Sequence, residues 1–410
     1  MGLPTETELT YRYERWRALS GGILETAGTT FLLLIVVRWF SDAGPTAKAL
    51  VAGGGSFGLA ISPLVVSGVA RLRWRASLAA SRLALLGAVC FLFMALVPQL
   101  PVFVIGSILA MTASSAAIPL LTQMYQENYP ARMRGNLFSR TFMIRIGTAA
   151  LFSELAGQAM SHHIEKFRYL LLVFAGAFAL ASYCLARCPS RPLTDTGGPH
   201  PFRSLRFAYT DALFRHTLVC WMLMGFANLM MLPMRVEYLA NPKYGLTLTV
   251  GEIAFLTGVV PNAARLIMSP IWGWLFDQMN FFVLRITLNT GFAIGILAFF
   301  TSSDITGLIL GSVVFGISNA GGDVAWSLWV TKFAPPKHVA DYMSVHTFFT
   351  GLRGMLAPLV AFHLVQSLTV TTLGWVAAAL IVGASLLLLP EVRSGRRARK
   401  ADALIEEVSE

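Results

Sequence analysis

Charged residues are scarce in this chain of 410 residues. Only 13% of its residues are Asp, Glu, Lys or Arg, whereas a soluble globular chain carries about 25%. So little charge over such a length excludes a single soluble domain, a disordered scaffold and a collagen-like fibre. The apolar share of 55% instead indicates a chain that lies mostly within a lipid bilayer.

Several signals of enzymes and of other membrane architectures are also missing. The sequence has no G-x-x-x-x-G-K-[ST] phosphate loop, and Gly53-Gly54-Gly55 lies inside an apolar run, where it favours helix packing. No ten-residue segments alternate apolar and polar residues as a membrane β-barrel would. We therefore expect no cofactor, no metal ion and no catalytic residue, and a membrane enzyme is the least favoured class.

Cysteines are few and lie where structural disulfides are rare. The four are Cys90, Cys184, Cys188 and Cys220. All fall in predicted spans or near the inner face of the membrane, so we expect free thiols.

The sequence does have many apolar runs of about 20 residues, the length that crosses a bilayer as a helix. Because backbone amides in lipid need partners within their own segment, we predict helices and an all-α polytopic fold. The twelve predicted spans are 18–40, 46–69, 76–97, 101–124, 137–160, 167–187, 214–238, 251–275, 281–301, 305–330, 340–363 and 370–389. The segment from Thr5 to Arg17 keeps two interpretations: a helix lying on the membrane surface or a frayed polar terminus.

The net charge of +11 is explained by topology. With the N-terminus in the cytoplasm, 20 of the 32 Lys and Arg residues fall on the cytoplasmic side, 6 on the opposite side and 6 within spans. This asymmetry follows the positive-inside rule and predicts that both termini are cytoplasmic. Nucleic acid is not an expected partner, because no basic stretch interleaves aromatic residues. The excess of Arg over Lys favours a bacterial inner membrane.

The chain divides into two similar halves. Its longest polar interruption runs from Arg187 to Arg215, and Ser62-Pro63 in span 2 recurs as Ser269-Pro270 in span 8, 207 residues later. A second echo, Pro130 and Pro335, has an offset of 205, which supports duplication. The predicted organisation is a cytoplasmic segment 1–17, a six-helix bundle 18–187, a linker 188–213, a second six-helix bundle 214–390 and a cytoplasmic tail 391–410.

One motif points to a family. Gly273-Trp274-Leu275-Phe276-Asp277, at the inner end of span 8, resembles the G-x-L-x-D loop of the major facilitator superfamily. The loop holding Pro130, Arg132, Arg134 and Gly135 is similar to the family's loop after its fourth helix. The first half departs from the motif, since Val66, Gly68 and Ala70 stand at the equivalent positions. The subfamily is not identified.

The resemblance implies two pseudo-symmetric six-helix bundles that form a monomeric transporter. It implies that Gly273 and Asp277 act as a conformational latch. It also implies that helix 5 meets helix 8 across the two halves. On that basis we predict an interface ion pair between Glu154 and Arg265.

Ionisable residues inside spans are costly and are candidates for function. Polar residues recur on single faces of spans 7, 8, 10 and 11, at steps of three, four and seven. In span 5, Arg145 and Glu154 are nine residues apart and face different ways, so we assign Arg145 to a cavity and Glu154 to an interface. Near the inner ends of spans, Arg82, Arg140 and Arg285 are expected to extend to the lipid headgroups. The predicted solute-binding residues are Glu25, Arg145, Asn228, Arg265, Asn319, Asp323, Trp326, His346 and Arg353.

These residues predict a secondary active transporter for a small organic solute. Three arginines against two acids suit an anionic or zwitterionic solute, and Trp326 offers a ring face. Glu25, Asp323 and His346 are the groups that could carry protons if transport is proton-coupled, as in a symporter. A lipid flippase and a receptor that binds solute without moving it remain the alternatives. The expected partners are the solute, protons and the lipid bilayer.

Overall fold

A computed structural model of the chain describes residues 5–161, 163–193, 202–332, 334 and 339–409. Among these residues twelve long helices, α1 to α12, follow one another, as predicted. Their bounds are Thr5–Arg38, Pro45–Arg71, Ala76–Leu96, Leu100–Asn128, Ala131–Met160, Phe167–Arg187, Ala212–Ala240, Val250–Gln278, Phe281–Phe300, Ile305–Leu328, Val339–Leu364 and Val370–Ser409.

Eleven of these helices are long and apolar enough to cross a membrane. The exception is α5, whose 30 residues include several arginines and Glu154. It nevertheless packs against α1 in the first half and against α8 in the second. Burial between other helices, rather than apolar composition, therefore accounts for its place in the bundle, and α5 meets α8 as the family resemblance implies.

Helix ends follow from local sequence. Pro45 occupies the first turn of α2 behind an extended Gly44, a position where proline costs no hydrogen bond. Thr249 and Glu252 form a reciprocal capping box at the start of α8. Asp304 accepts a hydrogen bond from the Gly307 amide at the start of α10.

The two halves share internal prolines, and two helices contain wide turns. Pro63 lies inside α2 and Pro270 inside α8, at the predicted repeat. The helices α1 and α8 each contain one π-helical turn, Ala27–Phe31 and Phe255–Val259. The two turns meet, since the hydroxyl oxygens of Thr30 and Thr257 are 3.1 Å apart. The sequence analysis predicted helices here but not these turns, which are frequent at functional sites.

The segment from Thr5 to Arg17 follows neither predicted interpretation. It continues α1 as one unbroken helix and is anchored by the buried carboxylate of Glu14. Arg17 donates to Glu14 through Nε at 2.6 Å, and the Tyr125 hydroxyl donates to the same carboxylate at 2.6 Å. A buried carboxylate needs such partners, and they hold the segment against α4.

Two predicted loops also differ. The helix α4 extends to Asn128 and α5 begins at Ala131, so Arg134 and Gly135 belong to a helix rather than a loop. The linker begins against the first half, because the Leu193 amide donates to the Trp74 carbonyl at 3.0 Å. Linker residues 194–201 lie outside the described residues, as does Pro335, so the predicted domain boundaries stay predictions.

The halves are joined mainly on one side of the molecule. We call the side of both chain ends the terminal side and the side of the loop 39–44 the distal side. Across the distal side, Lys48 Nζ of α2 donates to both carboxylate oxygens of Glu237 of α7 at 3.0 Å. Arg38 donates to the Leu248 carbonyl at 2.8 Å. These contacts close the distal side.

Small residues allow α5 and α8 to approach closely there. The Gly251 amide donates to the Ser161 hydroxyl at 2.8 Å. A Cβ atom on Gly157 would lie 2.5 Å from the Cβ of Ala254, and one on Gly258 would collide with Ser153. Glycine is therefore required at these two positions for the close approach. On the terminal side, a Cβ on Gly135 or Gly273 would meet nothing within 4 Å.

Gly157→Val should open the distal side. The added side chain overlaps Ala254 only while α5 and α8 are in contact, so it penalises the closed arrangement alone. We expect a cysteine placed at Ser161 to react at least about tenfold faster with a membrane-impermeant maleimide, which corresponds to about 1.4 kcal/mol. Gly147→Val, on the same helix with open space around it, is the control, and equal rates in the two variants would contradict the prediction.

Candidate functional site

Four ionised side chains form a continuous network at the middle of the molecule. Arg145 Nε of α5 donates to Glu25 Oε2 of α1 at 2.7 Å. Arg265 of α8 donates through Nη1 to Glu25 Oε1 and through Nε to Asp323 Oδ2 of α10, both at 2.5 Å. We call Glu25, Arg145, Arg265 and Asp323 the central network.

The central network joins the two halves. Glu25 and Arg145 belong to the first half and Arg265 and Asp323 to the second, and the Glu25–Arg265 pair crosses between them, 240 residues apart in sequence. Charge-assisted hydrogen bonds of this kind are roughly twice as strong as neutral ones. Any movement that separates the halves at this depth must break or re-form this pair.

Parts of the network are open to a small molecule. The side chain of Arg145 is 43% exposed and that of Asp323 is 30% exposed, whereas Arg265 is 8% exposed. Because the distal contacts close the other side, access to these two groups is from the terminal side. An aromatic ring, Phe142, lies 5.3 Å from the Arg265 guanidinium and lines the same region.

The predicted Glu154–Arg265 ion pair is wrong. Glu154 accepts a hydrogen bond from Gln158 of its own helix at 3.0 Å, and Arg265 instead bonds Glu25 and Asp323. Glu154 lies one turn from Gly157, where α5 contacts α8. It is nine residues along α5 from Arg145, the α5 residue that shares Glu25 with Arg265. The assignment of Arg145 to the central region agrees with its contact to Glu25.

The structure disperses several other predicted solute-binding residues. Asn228 lines a cavity of about 10 Å³ beside Arg235 and Phe299, a volume that suits about one water molecule. Asn319 is partly buried on α10 and makes no recorded hydrogen bond within the described residues. Asp277, half of the predicted latch with Gly273, is exposed at the end of α8 and has no ion pair within the described part of the chain.

His346 lies in a separate aromatic cluster inside the second half. Its ring is fully buried, and its centroid lies 5.2 Å from that of Trp221, 5.6 Å from Trp326 and 5.1 Å from Trp329. We call these three tryptophans the tryptophan cluster. Neither ring nitrogen of His346 has a hydrogen-bond partner among the described residues.

Two arginines border this cluster. Arg353 donates to the Trp221 carbonyl at 2.7 Å. Arg285 is 2% exposed, and its guanidinium carbon lies 3.8 Å from the centroid of the Trp221 ring. The expectation that Arg285 extends to the lipid headgroups is therefore wrong: α9 turns it inward, where the indole face compensates part of its lost hydration.

The charge balance of the central network differs from that of the nine solute-binding residues predicted from the sequence. The central network has two arginines and two acids and is neutral. The cationic surplus lies instead in the second half, where Arg235, Arg285 and Arg353 form no ion pair with any described residue. Arg235 lies between the rings of Phe299 and Phe315, 4.9 and 4.5 Å from their centroids.

Sequence reasoning missed Arg235, Arg285 and the Lys48–Glu237 pair. A signal was present for each. Arg235 and Glu237 follow the apolar run Met230–Met234, and an ionisable residue next to such a run has to find a partner within protein. Arg285 lies near the start of α9, and an arginine there can pack on an aromatic face within the protein, here Trp221, as well as extend to the headgroups.

The cysteines are free and buried, as expected. Cys188, just beyond α6, lies near the Glu14 carboxylate. Burial first, and the Glu14 charge second, raise the pKa of the Cys188 thiol well above its usual range. The thiol is therefore neutral and unreactive, which leaves the central network and the tryptophan cluster as the candidate sites.

Comparisons with known proteins match both the sequence of the second half and the whole fold. The model of the Major Facilitator Superfamily matches residues 239–407. A comparison with curated proteins found no match. Three solved structures have the same fold, at low identity. The nucleoside transporter NupG is 12% identical with a TM-score of 0.74 and covers 94% of this chain and 99% of its own.

The other two structures are also transporters. A D-xylose–proton symporter is 16% identical with a TM-score of 0.66, covering 94% of this chain and 95% of its own. A POT family transporter in complex with a thioalcohol-conjugated peptide is 12% identical with a TM-score of 0.70, covering 95% and 96%. The chain is therefore similar to the Major Facilitator Superfamily in the sequence of its second half, residues 239–407, and to these transporters in its multi-pass helical fold.

Proposed function

We propose that the protein is a secondary active transporter that moves a small organic solute, anionic or zwitterionic, by alternating access. The observation that carries the proposal is the central network, whose Glu25–Arg265 pair joins the halves at mid-depth. Ionised groups inside a membrane bundle are costly and are retained at transport pathways. A solute that competes for one of these groups changes how strongly the halves are held together.

The proposed cycle begins from a distally closed state. The Lys48–Glu237 pair and the α5–α8 contact hold that side shut, and Arg145 and Asp323 are reached from the terminal side. We propose that the terminal side is cytoplasmic and that the membrane is a bacterial inner membrane. In the opposite state, the distal contacts separate and the terminal ends of the halves meet. We propose that Gly273 and Asp277 act as the latch of that second state.

Proton coupling is proposed for the central network. Glu25 and Asp323 each bond a shared arginine, so protonating either one weakens its bond to Arg265 and loosens the link between the halves. His346 was the third candidate, but it lies in the tryptophan cluster rather than in the network. We therefore assign proton coupling to the two carboxylates.

Asp323→Asn should reduce transport at least about a hundredfold. The amide keeps the shape of the side chain but removes the charge that bonds Arg265 and that changes on protonation, and loss of a buried charged partner costs about 3–5 kcal/mol. The test is uptake and counterflow in proteoliposomes with a panel of anionic and zwitterionic solutes, with and without a pH gradient. Asp304→Asn, at an exposed helix start, is the control.

Two outcomes would contradict the proposal. If no solute moves in either direction through the wild-type protein, it is not a transporter for these classes and the receptor alternative gains weight. If Asp323→Asn transports as the wild type does, the central network does not carry the cycle.

A further inference from the structure

We propose that Arg353, with Arg285 and His346 behind it, binds the anionic group of the transported solute, which is thereby an organic anion with an apolar or aromatic body. This inference rests on the proposed function, because it names the solute class of the same protein. It places the anion in the second half, beside the tryptophan cluster, rather than on the central network.

The first support is uncompensated positive charge. Arg285 is 2% exposed, and neither it nor Arg353 has a carboxylate partner among the described residues. Arg285 donates a hydrogen bond to the Met224 sulfur at 3.3 Å and lies over the face of Trp221. A buried guanidinium without an anion is costly, and two side by side repel one another. An anion between them relieves both costs.

The second support is a set of unused hydrogen-bonding atoms. Both ring nitrogens of His346 and the Nε atom of Arg353 are buried and have no partner among the described residues. The histidine ring is fully buried, and Arg353 donates one hydrogen bond to the Trp221 carbonyl. The remaining donors can converge on the oxygen atoms of a carboxylate or phosphate, which guanidinium groups bind in a bidentate manner.

The third support is the route to these atoms. Arg353 and Trp326 are partly exposed, whereas Arg285 and His346 are buried. Trp326 is one helical turn from Asp323 on α10, so the tryptophan cluster borders the central network. A solute that enters from the terminal side can reach Arg353 and Trp326, because these two residues are the partly exposed members of the set.

Space for Arg353 depends on Gly225 of α7. A Cβ atom on that glycine would collide with the Arg353 guanidinium. Because Gly225 has no side chain, the Arg353 guanidinium can occupy the space beside it. The indoles beside it supply ring faces for the apolar part of a solute.

The test is thermal stabilisation of the purified full-length protein in nanodiscs. The probes are sodium benzoate, inorganic phosphate and acetate, with benzamide and acetamide as neutral counterparts, all at constant sodium chloride. We expect at least one anion to raise the midpoint of thermal unfolding while its neutral counterpart does not. Benzoate acting more strongly than acetate would indicate an aromatic body, and phosphate acting alone would indicate a phosphorylated solute.

The variants assign the effect to this site. Arg353→Gln should weaken the apparent affinity for the active anion at least tenfold, and Gly225→Ala, which displaces the same guanidinium, should weaken it in the same direction. Arg82→Gln is the matched control, because Arg82 also lies over an indole, Trp74, at 3.9 Å, but in the first half. Arg353→Lys should recover part of the affinity by restoring the charge.

The results separate this inference from the proposed function. Equal shifts with anions and with their neutral counterparts, no shift with any anion in the wild type, or an unchanged affinity in Arg353→Gln would each overturn the anion site. Flux of a neutral solute without anion-specific binding would overturn this inference alone. Anion-specific binding without any flux would instead overturn transport and leave the site in place.

Discussion

Arg265→Gln should abolish solute transport and lower the free energy of unfolding by about 3–5 kcal/mol. Arg265 is the one residue of the central network that bonds two carboxylates, Glu25 and Asp323. Removing its charge leaves Asp323 without its ion-pair partner and Glu25 with only Arg145, in a region where an unpaired charge is expensive. It also removes the only central-network pair that crosses between the halves.

Compensating variants distinguish loss of charge balance from loss of function. In a double variant with Asp323→Asn added to Arg265→Gln, no uncompensated acid remains in the central network, because Glu25 keeps Arg145, so thermal stability should return toward that of the wild type. Transport should stay absent, because the bond between halves is not restored. Thermal unfolding in detergent and proteoliposome flux measure the two effects. A single variant that is stable and active would disprove the central role of Arg265.

Lys48→Ala should shift the protein strongly toward a distally open state. Glu237 is 1% exposed and accepts two hydrogen bonds from Lys48. Lys243 is half-exposed and 3.8 Å away, so it replaces Lys48 only in part. The resulting penalty of about 3–5 kcal/mol applies to the closed state alone. Because each 1.4 kcal/mol is about a factor of ten, the equilibrium should move by about a hundredfold or more.

Distance measurements between the halves test this shift. Spin labels on cysteines at Asp42 and Gln366, both exposed on the distal side, should report a short distance in the wild type and a mostly longer one in Lys48→Ala. Lys166→Ala removes an exposed distal lysine that has no ion pair within the described residues, and it should leave the distances unchanged. The same distribution in both variants would mean that the Lys48–Glu237 pair does not hold the distal side.

The helices and the family motif were predictable because their causes are local. A run of about 20 apolar residues must form a helix in lipid, and the basic residues between runs indicate sides. The offset of 207 residues between Ser62-Pro63 and Ser269-Pro270 predicted two similar halves, and both prolines lie inside equivalent helices. One exception is not local: the segment Thr5–Arg17 continues the first helix, and its Glu14 is held by Tyr125, 111 residues away in sequence, as well as by Arg17.

The partners within the site were not predictable in the same way. Helical periodicity placed Glu25, Arg145, Arg265 and Asp323 on the faces that point inward, but it carries no information on depth or on which face meets which. Glu154 was paired with Arg265 because α5 meets α8. The two helices do meet, but at the depth of Arg265 the α5 residues beside it are Phe142 and, through Glu25, Arg145; Glu154 lies nine residues further along α5, near Gly157.

By itself, the sequence determined the twelve long helices, the repeat between the two halves, and the inward-facing positions of Glu25, Arg145, Arg265 and Asp323. The long apolar segments form helices because backbone amides in lipid need hydrogen-bond partners within their own segment, whichever segment it is. Only the tertiary structure decided that the central network is neutral while Arg285 and Arg353 lie uncompensated beside the tryptophan cluster. Charge compensation is a property of distances between helices far apart in sequence, and no local pattern encodes those distances.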